Sequence, residues 1–461
     1  MYDTTIRNGK VVTKDDIFEA DIAIEGGKIA AIGSGLGKAK EEVDAKGLYV
    51  MPGCIDPHTH IGIFVDKEKD LKSETGAAVY AGTTTVMHCL VGAGPLTDQY
   101  NDYKHLIETV GHTDMAFYGA LLTDDQLNEI EKLSAKGVTS WKFLMGYKGK
   151  AAESIGLEGV NFDDGYAYDG FEIIRKTGGL PMIHAEHIEM IYSIEKKYLK
   201  ENTLKAWADA RPNVAEEIDL RIYCSIAEEV GVPLYQVHSS VGTCPAIVQE
   251  FRDRGNKIFL ETCPHYFVTD YYGKNLNVSP LLGKINPPIR SPKDREMIEQ
   301  GLLKGGVYDC IGTDSASSMY KDKWADGSIW NIVLDFSSIG YMFPLVLSEL
   351  VNKKGLPLTE AVRLTSYNAA RIHGLYPKKG VLNVGSDADI IIVDLNKTRK
   401  VKAENMPSIS DYSLYEGWEI TGWPVRTFVR GTTVFKDDKI VGKPGFGEYV
   451  PCQPGYLDYR R

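Results

Sequence analysis

Apolar residues recur along this chain in two periods. In the first fifty residues the spacing is short: "TTIRNGKVV" carries an Asn-Gly pair, and "ADIAIEGGKIAAIG" alternates apolar and polar positions around Gly-Gly. Both predict strands joined by hairpin turns. The same pattern returns near the other end in "DADIIIVDL" and "VRTFVRGTTVFKDDKIV", with "KDDK" as a turn. The two β-rich ends, residues 1–52 and 376–461, are expected to fold together as one smaller β-sandwich domain built from both chain termini.

Between them apolar runs alternate with helical stretches, the pattern of βα units and a parallel sheet. Eight runs can be counted: "CIDPHTH", "TTTVMHCL", "DMAFYGALL", "GVTSWKFLM", "LPMIHAEH", "VPLYQVHSS", "KIFLETCPH" and "VYDCIGTDS". Segments between them, such as "DDQLNEIEKLSA" and "EEIDLRIYCSIAEEVG", have helical apolar spacing. Eight is the number a closed barrel needs. Residues 53–375 exceed the roughly 250 of a typical (β/α)₈ barrel, which leaves room for inserted loops. The expected fold is therefore α/β, a (β/α)₈ TIM-like barrel carrying the terminal sandwich.

Composition narrows the function by exclusion. At 461 residues the chain is too long for one hydrophobic core, in line with two domains. Its formal charge is −11, from 52 basic against 63 acidic residues, and no Lys/Arg-rich run breaks the pattern, so neither nucleic acid nor an anionic membrane is expected as a partner. Seven cysteines are scattered without a CxxC pair and read as reduced thiols. With no signal-like N-terminus and no apolar stretch of 18 residues, a cytoplasmic protein is expected.

Candidate chemistry appears where the runs end. In a (β/α)₈ barrel catalytic groups come from the C-terminal ends of several strands. Here those ends carry His58 and His60, Lys142, His184, His238 and Asp314. A period of two places His58 and His60 on one side with Thr59 turned away. One histidine after an apolar run is more often a hydrogen-bonded core or rim residue than a ligand. Four of them with an aspartate, at the ends of strands one, five, six and eight, point to a metal site. Lys142 lies in "TSWKFLMGY", where a buried ammonium is costly. It either pairs with a barrel carboxylate, reaches the surface, or has reacted with CO₂ to give a carbamate, a carboxylate-like bridging ligand.

In order along the chain, "GCIDPHTH", "KFLMGYKG", "PMIHAEH", "YQVHSS", "ETCPHY", "NPPIR" and "IGTD" resemble the cyclic-amidohydrolase branch of the amidohydrolase superfamily, and within it the dihydropyrimidinase and hydantoinase group. The resemblance implies hydrolysis of a dihydropyrimidine- or hydantoin-like cyclic amide to an open-chain N-carbamoyl-type acid. It implies two divalent metal ions, with Zn²⁺ the expected ion. His58, His60 and Asp314 would hold the first, His184 and His238 the second, and carboxylated Lys142 would bridge both. A metal-bridging hydroxide would attack the ring carbonyl, with Asp314 as general base and then acid and Tyr147 donating its hydroxyl to the oxyanion. Asn286 in "INPPIR", where hydantoinases usually have serine, would border the substrate. A homotetramer is the family expectation.

An allantoinase or a purine-ring amidohydrolase is the alternative, and Tyr147 favours the hydantoinase side because allantoinases generally lack a tyrosine there. Non-enzymatic dihydropyrimidinase-related assembly proteins lose metal ligands; this chain keeps all six. The departures fall in loops. Residues 148–170 are longer, more acidic and more aromatic than the corresponding connection of that group and are expected to border the pocket, as a lid or as a surface insertion. Residues 330–340 lack the usual asparagine- and glycine-rich pattern. His187 and Ser315 stand where other residues are common, His265 is expected to support strand seven, and Asp56 to orient strand one.

Overall fold

The structure is a computed structural model that describes residues 1–153, 156–157, 160 and 163–455. Each of the eight apolar runs contributes one strand to a parallel sheet: Cys54–Thr59, Thr83–Leu90, Asp114–Ala120, Ser140–Leu144, Leu180–His184, Leu234–Gln236, Ile258–Thr262 and Cys310–Ile311, neighbours in chain order. The last closes on the first through a parallel bridge between Thr59 and Ser315, with the Asp314 amide donating to the His58 carbonyl at 2.9 Å. Asp56 reinforces this seam, accepting from the Thr313 hydroxyl at 2.6 Å and from the backbone amides of Thr313 and His58. A closed barrel buries every strand on both faces, which is why these runs read as nearly continuous apolar segments.

Helices cover the outside. Asn213–Val230 spans "EEIDLRIYCSIAEEV" and stops at Gly231, whose φ of +74° suits a left-handed cap. "DDQLNEIEKLSA" forms two short helices, Asp124–Leu127 and Ile130–Ser134, in place of one.

The termini meet in a second, nine-stranded sheet running through 439–440, 432–436, 419–429, 390–400, 49–52, 2–12, 17–25 and 28–33, with 39–44 added on 2–12. Its own core packs Ile6, Val11, Ile22, Ile24, Val50, Ile390 and Phe428 together. Gly26-Gly27 and Asp437-Asp438 make hairpin turns with positive φ at both residues, as predicted. The Asn8-Gly9 pair does not make one. Tyr2–Val12 is a single strand, and Asn8, at φ +60°, sits in a bulge where the register shifts. Tertiary contacts decide this: Asn8 bonds Asp21 and Asp44, and a Cβ on Gly9 would meet Val50 at 2.4 Å.

The two units are joined by buried charge. Lys379, fully buried, donates to Asp114 of the barrel at 2.6 Å and to Asp389 at 2.7 Å. Residues 448–453 return to the barrel, pairing with Met115, Gly137 and Gly374.

Candidate metal centre

Of the residues singled out at the strand ends, His60, Lys142, His184, His238 and Asp314 line the floor of one cavity of about 210 Å³, and His58 lies fully buried directly behind them. Coordinating atoms of His58, His238 and Asp314 all lie within 4.8 Å of one another. His58 and His60 bring their Nε2 atoms to 3.3 Å, and each stands close to Asp314 Oδ1, at 3.1 and 3.3 Å. Thr59 turns away and donates to the Met87 carbonyl. Across the site His184 Nδ1 faces His238 Nε2 at 2.8 Å. Lys142 stands against the first pair, its Nζ 2.6 Å from His58 Nε2 and 3.2 Å from His60 Nε2.

Two of these residues hold unusual backbone. His238 has φ +37° and Asp314 φ +52°, conformations that residues with a Cβ adopt only when their surroundings impose them. The imposing contacts are the His238 amide on Glu261 at 2.9 Å and the Asp314 amide on strand one. Gly146 allows the close approach of strand four's exit, since a Cβ there would stand 2.7 Å from His184 Nε2.

Two carboxylates that the strand-end reading overlooked hold the far sides of His58 and His184. Glu261 Oε1 meets His58 Nδ1 at 2.9 Å while its other oxygen accepts from the Tyr235 hydroxyl at 2.8 Å. Glu186 Oε2 meets His184 Nε2 at 2.9 Å and is paired with Arg211 at 3.1 Å. Such partners select the ring nitrogen that faces inward: Nε2 for His58 and Nδ1 for His184. Glu186 was legible in principle, two residues beyond His184, and Glu261 as the acid that ends "KIFLE".

The electrostatics suit a cation. Burial pushes His58 and His238 well below their usual range, with the Lys142 ammonium adding at His58 and His184 at His238, so their lone pairs are available for coordination. Burial opposes ionisation of Asp314, but the nitrogen donors crowded around it, on His58, His238, His60 and Lys142, outweigh it together and hold the carboxyl well below the usual range. Burial drives Asp56 up to about 7 and Glu261 up to about 8, a shortage of countercharge that a divalent ion would relieve. Neutral imidazoles with carboxylates are the donor set of zinc and related ions, so the residues present fit a metal.

Tyr147 and Asn286 line the same cavity, with Asn286 Nδ2 3.5 Å from the Tyr147 hydroxyl. The 330–340 stretch contributes Asp335, which sequence reading left unassigned; its carboxylate accepts no hydrogen bond from a described residue. Ser315 supports that loop by accepting from the Ser338 amide at 2.9 Å. Of the 148–170 segment, Gly156 and Leu157 line the cavity, while residues 154, 155, 158, 159, 161 and 162 lie outside the described residues. His187 lies outside the cavity wall, half-buried, and His265, just past the C-terminal end of strand seven, packs against Tyr266 and Phe336. No helix among the described residues is long and apolar enough to cross a membrane.

Comparison with known proteins agrees with this geometry. Residues 49–434 match the amidohydrolase family. The chain is 35% identical over 465 residues to a D-hydantoinase of Geobacillus stearothermophilus, covering 96% of this chain and 95% of that one. It is 30% identical to an L-hydantoinase of Paenarthrobacter aurescens, over 98% of both. The crystal structure of dihydropyrimidinase from Brevibacillus agri superposes with a TM-score of 0.90 over 100% of each chain, at 27% identity. With the family matched from the last terminal strand before the barrel to the far side of the second sheet, the chain belongs to the amidohydrolase family.

Proposed function

We propose that this protein hydrolyses a ring amide of the hydantoin or dihydropyrimidine type, opening the ring to an N-carbamoyl-type acid. The observation that carries this reading is one cavity whose floor gathers His60, His184, His238, Asp314 and Lys142, with His58 buried directly behind them, and whose wall presents Tyr147 and Asn286. His58, His60 and Asp314 would hold one divalent ion and His184 and His238 another, Zn²⁺ being the first candidate, with Lys142 as a carbamate between them. When bound, such ions lower the pKa of water to near neutrality and polarise a carbonyl.

The chain's own groups then do the rest. Asp314, kept ionised, takes the proton as the water oxygen bonds to the ring carbonyl carbon, and returns it to the ring nitrogen as the C–N bond breaks. Burial raises the Tyr147 hydroxyl well above its usual range, so it stays protonated and is a donor for the developing oxyanion. The buried Oδ1 of Asn286, without a described partner, is an acceptor for a ring N–H. Allantoin hydrolysis is less favoured, because allantoinases generally lack a tyrosine at the position of Tyr147, which here lines the cavity. By family likeness the enzyme is a homotetramer, which light scattering on the purified protein tests, and cytoplasmic, which cell fractionation tests.

A panel of dihydrouracil, hydantoin, allantoin, dihydroorotate and xanthine tests the activity. Ring opening of hydantoin or dihydrouracil by the metal-loaded protein is expected. Loaded protein that opens none of the five overturns the reading.

A further inference from the structure

Beside the metal-site cavity lies a second, larger chamber of about 390 Å³. Phe64 and Asn286 line both, so the two spaces adjoin across these two side chains. The second chamber differs in charge. Its described walls carry Lys150, Arg211 and Lys284 against one carboxylate, Glu195.

Lys284 is the unusual group. It is 4% exposed, its Nζ donates to the Ile332 carbonyl at 2.7 Å and the Trp330 carbonyl at 3.3 Å, and it stands 4.3 Å from the centre of the Trp207 ring. No described carboxylate lies within ion-pairing distance of it, and its remaining N–H has no described acceptor. Burial draws its pKa down to about 7, with Arg211 adding to the shift. Arg211, equally buried, is satisfied at Nη1 by Glu186, yet its Nε is buried without a partner. Buried donors left unanswered are costly, and a buried ammonium without a counterion more so. A carboxylate supplies both the charge and the acceptors.

We propose that this chamber is the subsite for an anionic arm on the substrate ring: a short alkyl chain ending in a carboxylate that accepts from Lys284 Nζ and Arg211 Nε, its stem lying against the Trp207 and Trp330 indoles. The preferred substrate class is then a carboxyalkyl-substituted cyclic ureide. This rests on the ring-opening activity proposed above, and adds to it the identity of the substituent.

The test compares two hydantoins on the metal-loaded enzyme, one bearing a carboxyethyl group at C5 and the other the isosteric carboxamidoethyl group. The acid is expected to show a kcat/KM about tenfold or more above the amide, the scale of one charge-assisted hydrogen bond. In Lys284→Met that ratio should fall several-fold, with Arg211 holding what remains, and in Lys284→Arg it should be partly restored. If the methionine variant fails to fold, the wild-type ratio alone decides. Opening of the amide with no preference for the acid overturns the subsite and leaves the ring-opening reading standing. A folded Lys284→Met that keeps the full preference overturns it as well. Failure to open either hydantoin or the unsubstituted ring overturns the activity, and the subsite with it.

Discussion

Replacing Glu261 by glutamine isolates the charge behind a metal ligand from the shape that positions it. Glu261 is fully buried and meets three groups: His58 Nδ1 at 2.9 Å, the His238 amide at 2.9 Å and the Tyr235 hydroxyl at 2.8 Å. A carboxamide has the same outline. With its oxygen at the Oε1 position it accepts from His58 and His238 as before, and its NH₂ donates to the Tyr235 oxygen once that hydroxyl rotates. All three contacts survive, so little folding stability is at risk; what is lost is the negative charge that a bound divalent ion would draw out of Glu261, otherwise raised to about 8, on the far side of the His58 ring. A full charge about 4 Å from another contributes about 4 kcal/mol at an effective dielectric of 20, an upper bound here because the imidazole stands between. Removing a partner of a metal ligand usually lowers metal affinity by about 10–100-fold. That is about 1.4–2.8 kcal/mol, inside the bound. The assay is competition of the apo-protein against a chelating indicator, with the far-UV spectrum and thermal midpoint recorded beside it. An unchanged metal affinity in a folded Glu261→Gln protein would refute both the role of Glu261 and the assignment of His58 Nε2 as a ligand atom.

Three other outcomes follow from the same geometry. Lys142→Ala should abolish turnover and lower the metal content measured by elemental analysis, with partial rescue of both by added short carboxylic acids; full metal and full rate would remove Lys142 from the centre. Tyr147→Phe should lower kcat by about two to three orders of magnitude with the metal content unchanged, the cost of one oxyanion donor, and a small change in kcat would make Tyr147 a wall residue. Asp219, 4% exposed, is pushed up to about 8 by burial, with Asp164, Glu186 and Glu189 adding. Its folded pKa therefore lies above the unfolded value of about 3.9, folding takes up a proton between the two, and wild-type stability falls as pH rises through that window. Asp219→Asn should raise the thermal midpoint by a margin near zero at pH 4 that grows towards pH 8; a margin independent of pH contradicts the assignment.

The sequence by itself determined the barrel and the positions of its candidate ligands. A closed parallel sheet buries both faces of every strand, so each strand declares itself as an apolar run, and a polar residue ending such a run stands out against it. His58, His60, Lys142, His184, His238 and Asp314 were visible for that reason. Tertiary structure decided what lies one step further from the strands. Glu261 and Glu186 became meaningful only when strands distant in the chain brought them behind His58 and His184. The Asn8-Gly9 pair, a hairpin signal in local terms, became a bulge because Asp21, Asp44 and Val50 fill the space around it. Asp335 and Lys284 were hidden for a related reason. They sit in loops without periodicity, where the direction of a side chain is set by contacts such as those of Lys323, which donates to the carbonyls of Lys284, Val333 and Asp335 and so ties the two loops together. Hydrolytic chemistry rests on residues that strand geometry makes periodic, whereas the choice of substrate rests on loops whose shape arises only from packing.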